Sequence, residues 1–197
     1  MTKQFALPAY REAKLTFQHW KTTLVNHFRG FETNFDNLEG VYGSIHSAVD
    51  TTVTIANANE WTAVEGIKTI VSEQGIDVQF ANEILIKETA FYLLLWSMSF
   101  SIPSGSNKEF EGAIVENMDR DSSDAVIAGT GSVIASTRSH RSIGTANDTG
   151  NFGGMVIIEC QESDTLVLAL MNETDSVNGT VSHSHLSVMK INPTSFS

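Results

Sequence analysis

Along the first fifty positions, apolar residues recur with a helical period. Tyr10, Phe17, Leu24, Phe31, Leu38 and Ile45 fall seven apart, and Ala13, Trp20, Val41 and Ala48 occupy the register three further along. The seam predicts an amphipathic helix that starts near Pro8 and ends at Gly30. A second, looser helix or irregular segment is expected from Thr33 to Val49. The seam is imperfect: it also meets His27 and Asn34, and Gly30, Gly40 and Gly43 each cost a helix interior about 1 kcal/mol. A short coiled-coil stalk shared between chains fits the pattern, and so does a helical arm folded against its own domain or a partner. A membrane-surface helix would need more Lys and Arg, less scattered, than this stretch carries.

From Thr51 the period changes to two, and β-branched residues alternate between turn signals. Strands are expected at Thr51–Ala56, Ile67–Ser72, Asp77–Phe80, Glu83–Lys87, Ala90–Ile102, Glu109–Asn117, Gly131–Arg138, Phe152–Cys160, Thr165–Met171 and Val181–Ile191. Short strands at this spacing predict two packed sheets. The expected division is therefore a helical anchor or stalk over residues 1–50 and a mainly β head over 51–197. The strand at Ala90–Ile102 is apolar on both faces, with Phe91, Leu93 and Leu95 alternating with Tyr92, Leu94, Trp96, Met98 and Phe100. Both faces need cover, either from neighbouring subunits or from the N-terminal helix.

Three segments carry a resemblance. Glu88 to Ser101 (ETAFYLLLWSMSFS) resembles the long inner strand of the TNF/C1q-like jelly roll. Met155 to Asn172 (MVIIECQESDTLVLALMN) is similar to that family's strand, Gly-Asp turn and following strand. Val181 to Ile191 (VSHSHLSVMKI) resembles its closing strand. The likeness runs from about residue 51 to 191 and rests on the order and spacing of the segments. Ala90 stands where the family often has Gly, Ser163 replaces the Gly of the Gly-Asp turn, and no collagen-like repeat precedes the head. The form implied is the one found in phage head fibres, capsid decoration (cement) proteins and tail-fibre tips, where a short helical part precedes a homotrimeric head. In that picture Phe91, Tyr92, Leu94, Trp96, Met98 and Phe100 serve trimer or core packing.

Charge sharpens the picture. The chain of 197 residues has a formal net charge of −11, which argues against a general nucleic-acid binder. Residues 1–30 nevertheless carry Lys3, Arg11, Lys14, Lys21 and Arg29 against Glu12 alone. A basic arm on an acidic body suits docking on an acidic partner, the major capsid protein or another virion protein, although a solvated helix face would look the same. Phe17, Trp20, Leu24, Phe28 and Phe31 are the candidate docking or stalk residues, with Lys14, Lys21 and Arg29 steering. No apolar run approaches a bilayer span, and Met1–Tyr10 lacks the succession of a signal peptide. Assembly in a cytoplasm is therefore expected, and the resemblance implies a host cell and residence on the capsid surface. The single cysteine, Cys160, rules out an intrachain disulfide and is expected to be inert.

The usual catalytic signatures are absent: no Gly-x-Ser-x-Gly elbow, Walker loop, His-Glu-x-x-His helix or dinucleotide glycine pattern occurs. A non-enzymatic protein without cofactor is expected. His183 and His185 would share one face of a strand and are weak metal candidates; a cupin-like metal enzyme would need at least a third ligand beside them. Asp119 to Asp124 spaces carboxylates as calcium loops do, but without the Gly and closing Glu of an EF-hand it reads as a solvated loop. Gly129 to Ser132 reads as a turn. So do Asn147-Asp-Thr, Asn172-Glu-Thr and Asn178-Gly-Thr, glycosylation patterns without meaning unless the chain is exported. Arg138, His140 and Arg141 form the basic cluster of the β region, and Trp61, Tyr92 and Trp96 offer aromatics that can stack on sugars. A tail-fibre tip binding host-surface glycans is thus the alternative to capsid decoration.

Overall fold

The computed structural model describes residues 42–47, 49–65, 69–79, 82–102 and 107–191, with residues 69–74 described as backbone. They belong to one compact unit, Gly40–Thr194. The helical seam before residue 42 lies outside the described residues, and so do Lys14, Phe17, Trp20, Lys21, Leu24, Phe28, Arg29 and Phe31.

The chain forms β1 (Tyr42–Ser47), β2 (Thr51–Val53), β3 (Thr62–Ala63), β4 (Thr69–Gln74), β5 (Ile76–Gln79), β6 (Glu83–Ile86), β7 (Ala90–Ser101) and β8 (Lys108–Glu116). It continues through β9 (Ser132–Val133), a 3-10 turn at Ala135–Thr137, β10 (Ser139–Ile143), β11 (Thr149–Cys160), β12 (Thr165–Asn172) and β13 (Gly179–Ile191). Two antiparallel sheets result. The first runs β11-β7-β13-β1-β4, with β2 beside β13; the second runs β10-β8-β12-β6-β5, with β3 beside β12 and β9 beside β8. The long strands β7, β8, β11, β12 and β13 fall alternately in the first and second sheets, which is how a jelly roll winds.

The core between the sheets follows from alternation. Tyr92, Leu94, Trp96, Met98 and Phe100 of β7 meet Leu166, Leu168 and Leu170 of β12 and Phe110 and Ile114 of β8, all buried. The second sheet also hides much of its other face. Val115, Val167 and Ala169 are covered by Ala63 of β3, Met118, and the partly buried Trp61, Val126 and Val133.

One expectation is corrected here. The looser helix or irregular segment placed over Thr33–Val49 is, at Tyr42–Ser47, a central strand of the first sheet, paired with β13 on one side and β4 on the other. Ile45 is 1% exposed in the core. Its seven-residue spacing from Leu38 coincides with an alternation in which Gly43, Ile45 and Ser47 point inward. A chain cut at Thr51 would therefore lack a core strand. Two further strands were not anticipated: β3 has only two residues, and β10 (SHRSI) carries polar side chains at a sheet edge, where alternation gives no apolar signal.

Candidate functional site

The outer face of the first sheet is the surface that the chain leaves without cover among the described residues. Because successive side chains of a strand point to opposite sides, the residues between the core positions of β7, β11, β13 and β1 form this face. The register sets them in rows. Ile157, Leu93, Met189 and Tyr42 lie side by side in one row, and Met155, Leu95, Ser187 and Ser44 in the next. Met155 is 69% exposed, Ile157 58%, and Phe91, Tyr42, Leu95 and Met189 also stand open to solvent. Further along the same strands the face turns polar, through Gly153, Ser97, His185 and His46, then Asn151, Ser99 and His183. Ser99 Oγ donates to Asn151 Oδ1 at 2.6 Å across the β7–β11 pair.

The residues assigned to trimer or core packing thus separate. Tyr92, Leu94, Trp96, Met98 and Phe100 lie in the intramolecular core, and Phe91 faces outward. Tyr92 is anchored by its hydroxyl, which donates to the Glu88 carbonyl at 2.8 Å. Leu93, Leu95, Met155, Ile157, Met189 and Tyr42 complete the apolar band. Sequence reasoning passed over the last four because their strands read as core or helix, although Met155 and Ile157 alternate with Val156 and Ile158 in plain view.

The candidate chemistry fares as follows. His183 and His185 do share the outer face, and His185 lies opposite His46 of β1. Burial and the neighbouring His46 push the His185 imidazole below its ordinary value, and its Nε2 lies 2.9 Å from Ser187 Oγ. Among the described residues, no three-donor cluster forms around these histidines. The Asp119–Asp124 loop binds itself: Asp121 Oδ1 accepts from Ser123 N and Oγ and from Ala125 N. These hydrogen bonds, led by the Ser123 hydroxyl, hold the Asp121 carboxyl below its usual range.

The glycan-stacking set is also corrected. Tyr92 and Trp96 are 0% and 3% exposed, and the partly buried Trp61 packs on Ala63 and its neighbours, so these three do not form an open aromatic platform. Of the turn readings, Asn147 sits at a positive φ of 63°, and Gly129 and Gly131 take φ of 76° and 78°. Asn172 is instead a buried strand residue whose carboxamide orders the turn behind it. Cys160 is buried, and burial, then Glu116 and Asp164, push its thiol up to about 12, which fits an unreactive residue.

No protein-family model matches the chain, and no curated protein sequence does. Among solved structures, the Eiger TNF of S. frugiperda superposes with a TM-score of 0.54 at 9% identity, covering 78% of this chain and 93% of that one. Murine APRIL gives 0.48 at 13% identity, covering 76% and 99%. The globular domain of zebrafish complement 1qA gives 0.47 at 8% identity, covering 77% and 98%. The fold assignment rests on the first of these together with the strand order. At such identities the likeness is one of fold: the head is a TNF/C1q-like jelly roll.

Proposed function

We propose that the jelly-roll head self-associates as a homotrimer through the outer face of its first sheet, and that the chain is a non-enzymatic virion protein. In this reading it is a phage capsid decoration or head-fibre protein, resident on the capsid surface after assembly in the host cytoplasm. One observation carries the self-association: the apolar band of Tyr42, Phe91, Leu93, Leu95, Met155, Ile157 and Met189. The chain uses β3 and the Met118–Val133 stretch to cover the second sheet, yet among the described residues it leaves this band open. Contiguous apolar surface of this kind marks an interaction site. A polar and imidazole-bearing margin beside an apolar centre has the anatomy of a protein–protein interface. Closed symmetry answers the need for cover on every copy at once, and the resemblance to trimeric jelly rolls gives the number.

The virion role rests on that resemblance and on the basic, aromatic-rich residues 1–31 ahead of an acidic body. Phe17, Trp20, Leu24, Phe28 and Phe31 would supply the docking contact with the capsid protein, and Lys14, Lys21 and Arg29 the steering charge. Clamping neighbouring capsid subunits stabilises a shell by binding alone, without chemistry.

Light scattering on the full chain tests the first half. A mass of three chains is expected, and the double substitution Met155→Glu with Ile157→Glu should give a folded monomer, since both side chains are exposed. A monomeric parent, or a trimer indifferent to both glutamates, overturns the interface. Binding of the full chain to capsids lacking it tests the second half. Trp20→Ala with Phe28→Ala should abolish docking while leaving the trimer intact; docking that persists removes the arm from the role.

A further inference from the structure

On the second sheet, away from the face just described, three side chains from separate strands converge. Glu109 is the second residue of β8, His140 lies on the edge strand β10, and Glu173 follows the last residue of β12. His140 Nε2 stands 3.5 Å from Glu173 Oε2 and 3.9 Å from Glu109 Oε2, and one donor atom from each residue lies within 4.8 Å of the others. We propose that Glu109, His140 and Glu173 form a binding site for a first-row divalent transition metal, Zn²⁺ being the representative ion.

The separations are too long for direct hydrogen bonds, which lie near 2.7–3.2 Å. They approach the spacing of atoms sharing a metal: ligands about 2.0–2.2 Å from a tetrahedral zinc stand roughly 3.3–3.6 Å from one another. Side-chain rotation of a few tenths of an ångström to about 1 Å closes the set, and the exposed ends of Glu109 and His140 have room for it.

The backbone beneath is fixed. Glu173 N donates to the Glu109 carbonyl at 2.8 Å, and Glu109 N donates to Thr174 Oγ1 at 3.0 Å. Buried Asn172 Oδ1 holds the next turn by accepting from Thr174 N and Asp175 N. The ladder between β10 and β8 sets Ser142 opposite Glu109 and so places His140 beside the pair.

Charge points the same way. The neighbouring acids each have a strong cation: Glu111 is paired with Arg138, and Asp175 with Lys108. Among the described residues, Glu109 and Glu173 converge on an imidazole alone. Two carboxylates on a body of net charge −11 attract a cation, and the imidazole nitrogen decides which. Calcium and magnesium take oxygen ligands, whereas imidazole suits Zn²⁺ and its neighbours. Three protein ligands leave a fourth position for water.

Calorimetric titration of the full chain with ZnCl₂ should give one ion per chain, with Ca²⁺ a poor competitor. His140→Ala and Glu173→Gln should each weaken binding at least about tenfold. Glu173→Gln keeps size and hydrogen bonding, so it serves even if the alanine variant folds poorly. Zn²⁺ should raise the melting temperature of the parent but not of either variant, and crystals grown with Zn²⁺ should show an anomalous peak between the three side chains. Absence of saturable binding up to about 1 mM, binding unchanged in His140→Ala, or loss of binding in His185→Ala overturns the site.

Discussion

Phe100 lies parallel to Phe152, with ring centroids 4.6 Å apart and planes at 4°, and tilts against Phe110 at 5.1 Å. Gly150 of β11 permits this, because a Cβ there would run into the Phe100 ring at Cε1 and lie 2.6 Å from its Cζ. Gly150→Ala should therefore destabilise the head by about 1–3 kcal/mol in urea unfolding, as overpacked cores do. Cys160 and Tyr92 act together in the alkaline range. Both groups are pushed up to about 12, chiefly by burial, so the unfolded chain ionises first as pH rises past the thiol's ordinary 9.0. Stability should hold below about pH 9 and fall from there towards 12, and Cys160→Ala should remove part of the slope in urea titrations at pH 8 and 10. Ser163 shows what single residues can and cannot disclose. The sequence set it in the place of a turn glycine, and its φ is indeed 77°, but only the fold shows Ser163 N donating to the Ile86 carbonyl at 2.8 Å.

At the scale of strands, the sequence was legible wherever alternation and length were both strong. β7, β12 and β13 lie within a residue or two of their expected bounds, because long runs of inward apolar residues leave one register open. β1 was misread for a physical reason: Gly43, Ile45 and Ser47 give a core strand just one large apolar side chain, and that residue happened to continue a heptad. The distinction is measurable. Ile45→Ala should lower the stability of the folded chain by about 2–5 kcal/mol, the cost of a core cavity, and should do so without changing the mass of the assembly at saturating concentration. A stalk residue would show the opposite, with dissociation preceding any loss of fold.

For the whole molecule, the asymmetry between a covered second sheet and a first sheet left open among the described residues matters more than any single residue. Neither the open band nor the Glu109–His140–Glu173 cluster could be read from the sequence, since each gathers residues many positions apart through ladder register. The His185 ring, at the polar margin of the band, makes the fold sensitive to acid. Because His185 is held below its ordinary value by burial and by His46, the unfolded chain takes the proton first as pH falls below about 6.5. The contribution of His185 to stability is present above that range and lost below it, so urea unfolding should show a less stable fold at pH 5.5 than at pH 7.5, and His185→Asn should flatten the difference. The pairing of Tyr42 with Met189 has another consequence. The first and last strands of the head are neighbours, so a few residues of Gly and Ser would join Ile191 to Tyr42 directly. The chain could then be reopened at the exposed Thr145–Asp148 turn, giving a circular permutant that keeps every sheet pairing and starts and stops at the far pole. A cargo fused there would leave the head at the end opposite the one where β1 begins.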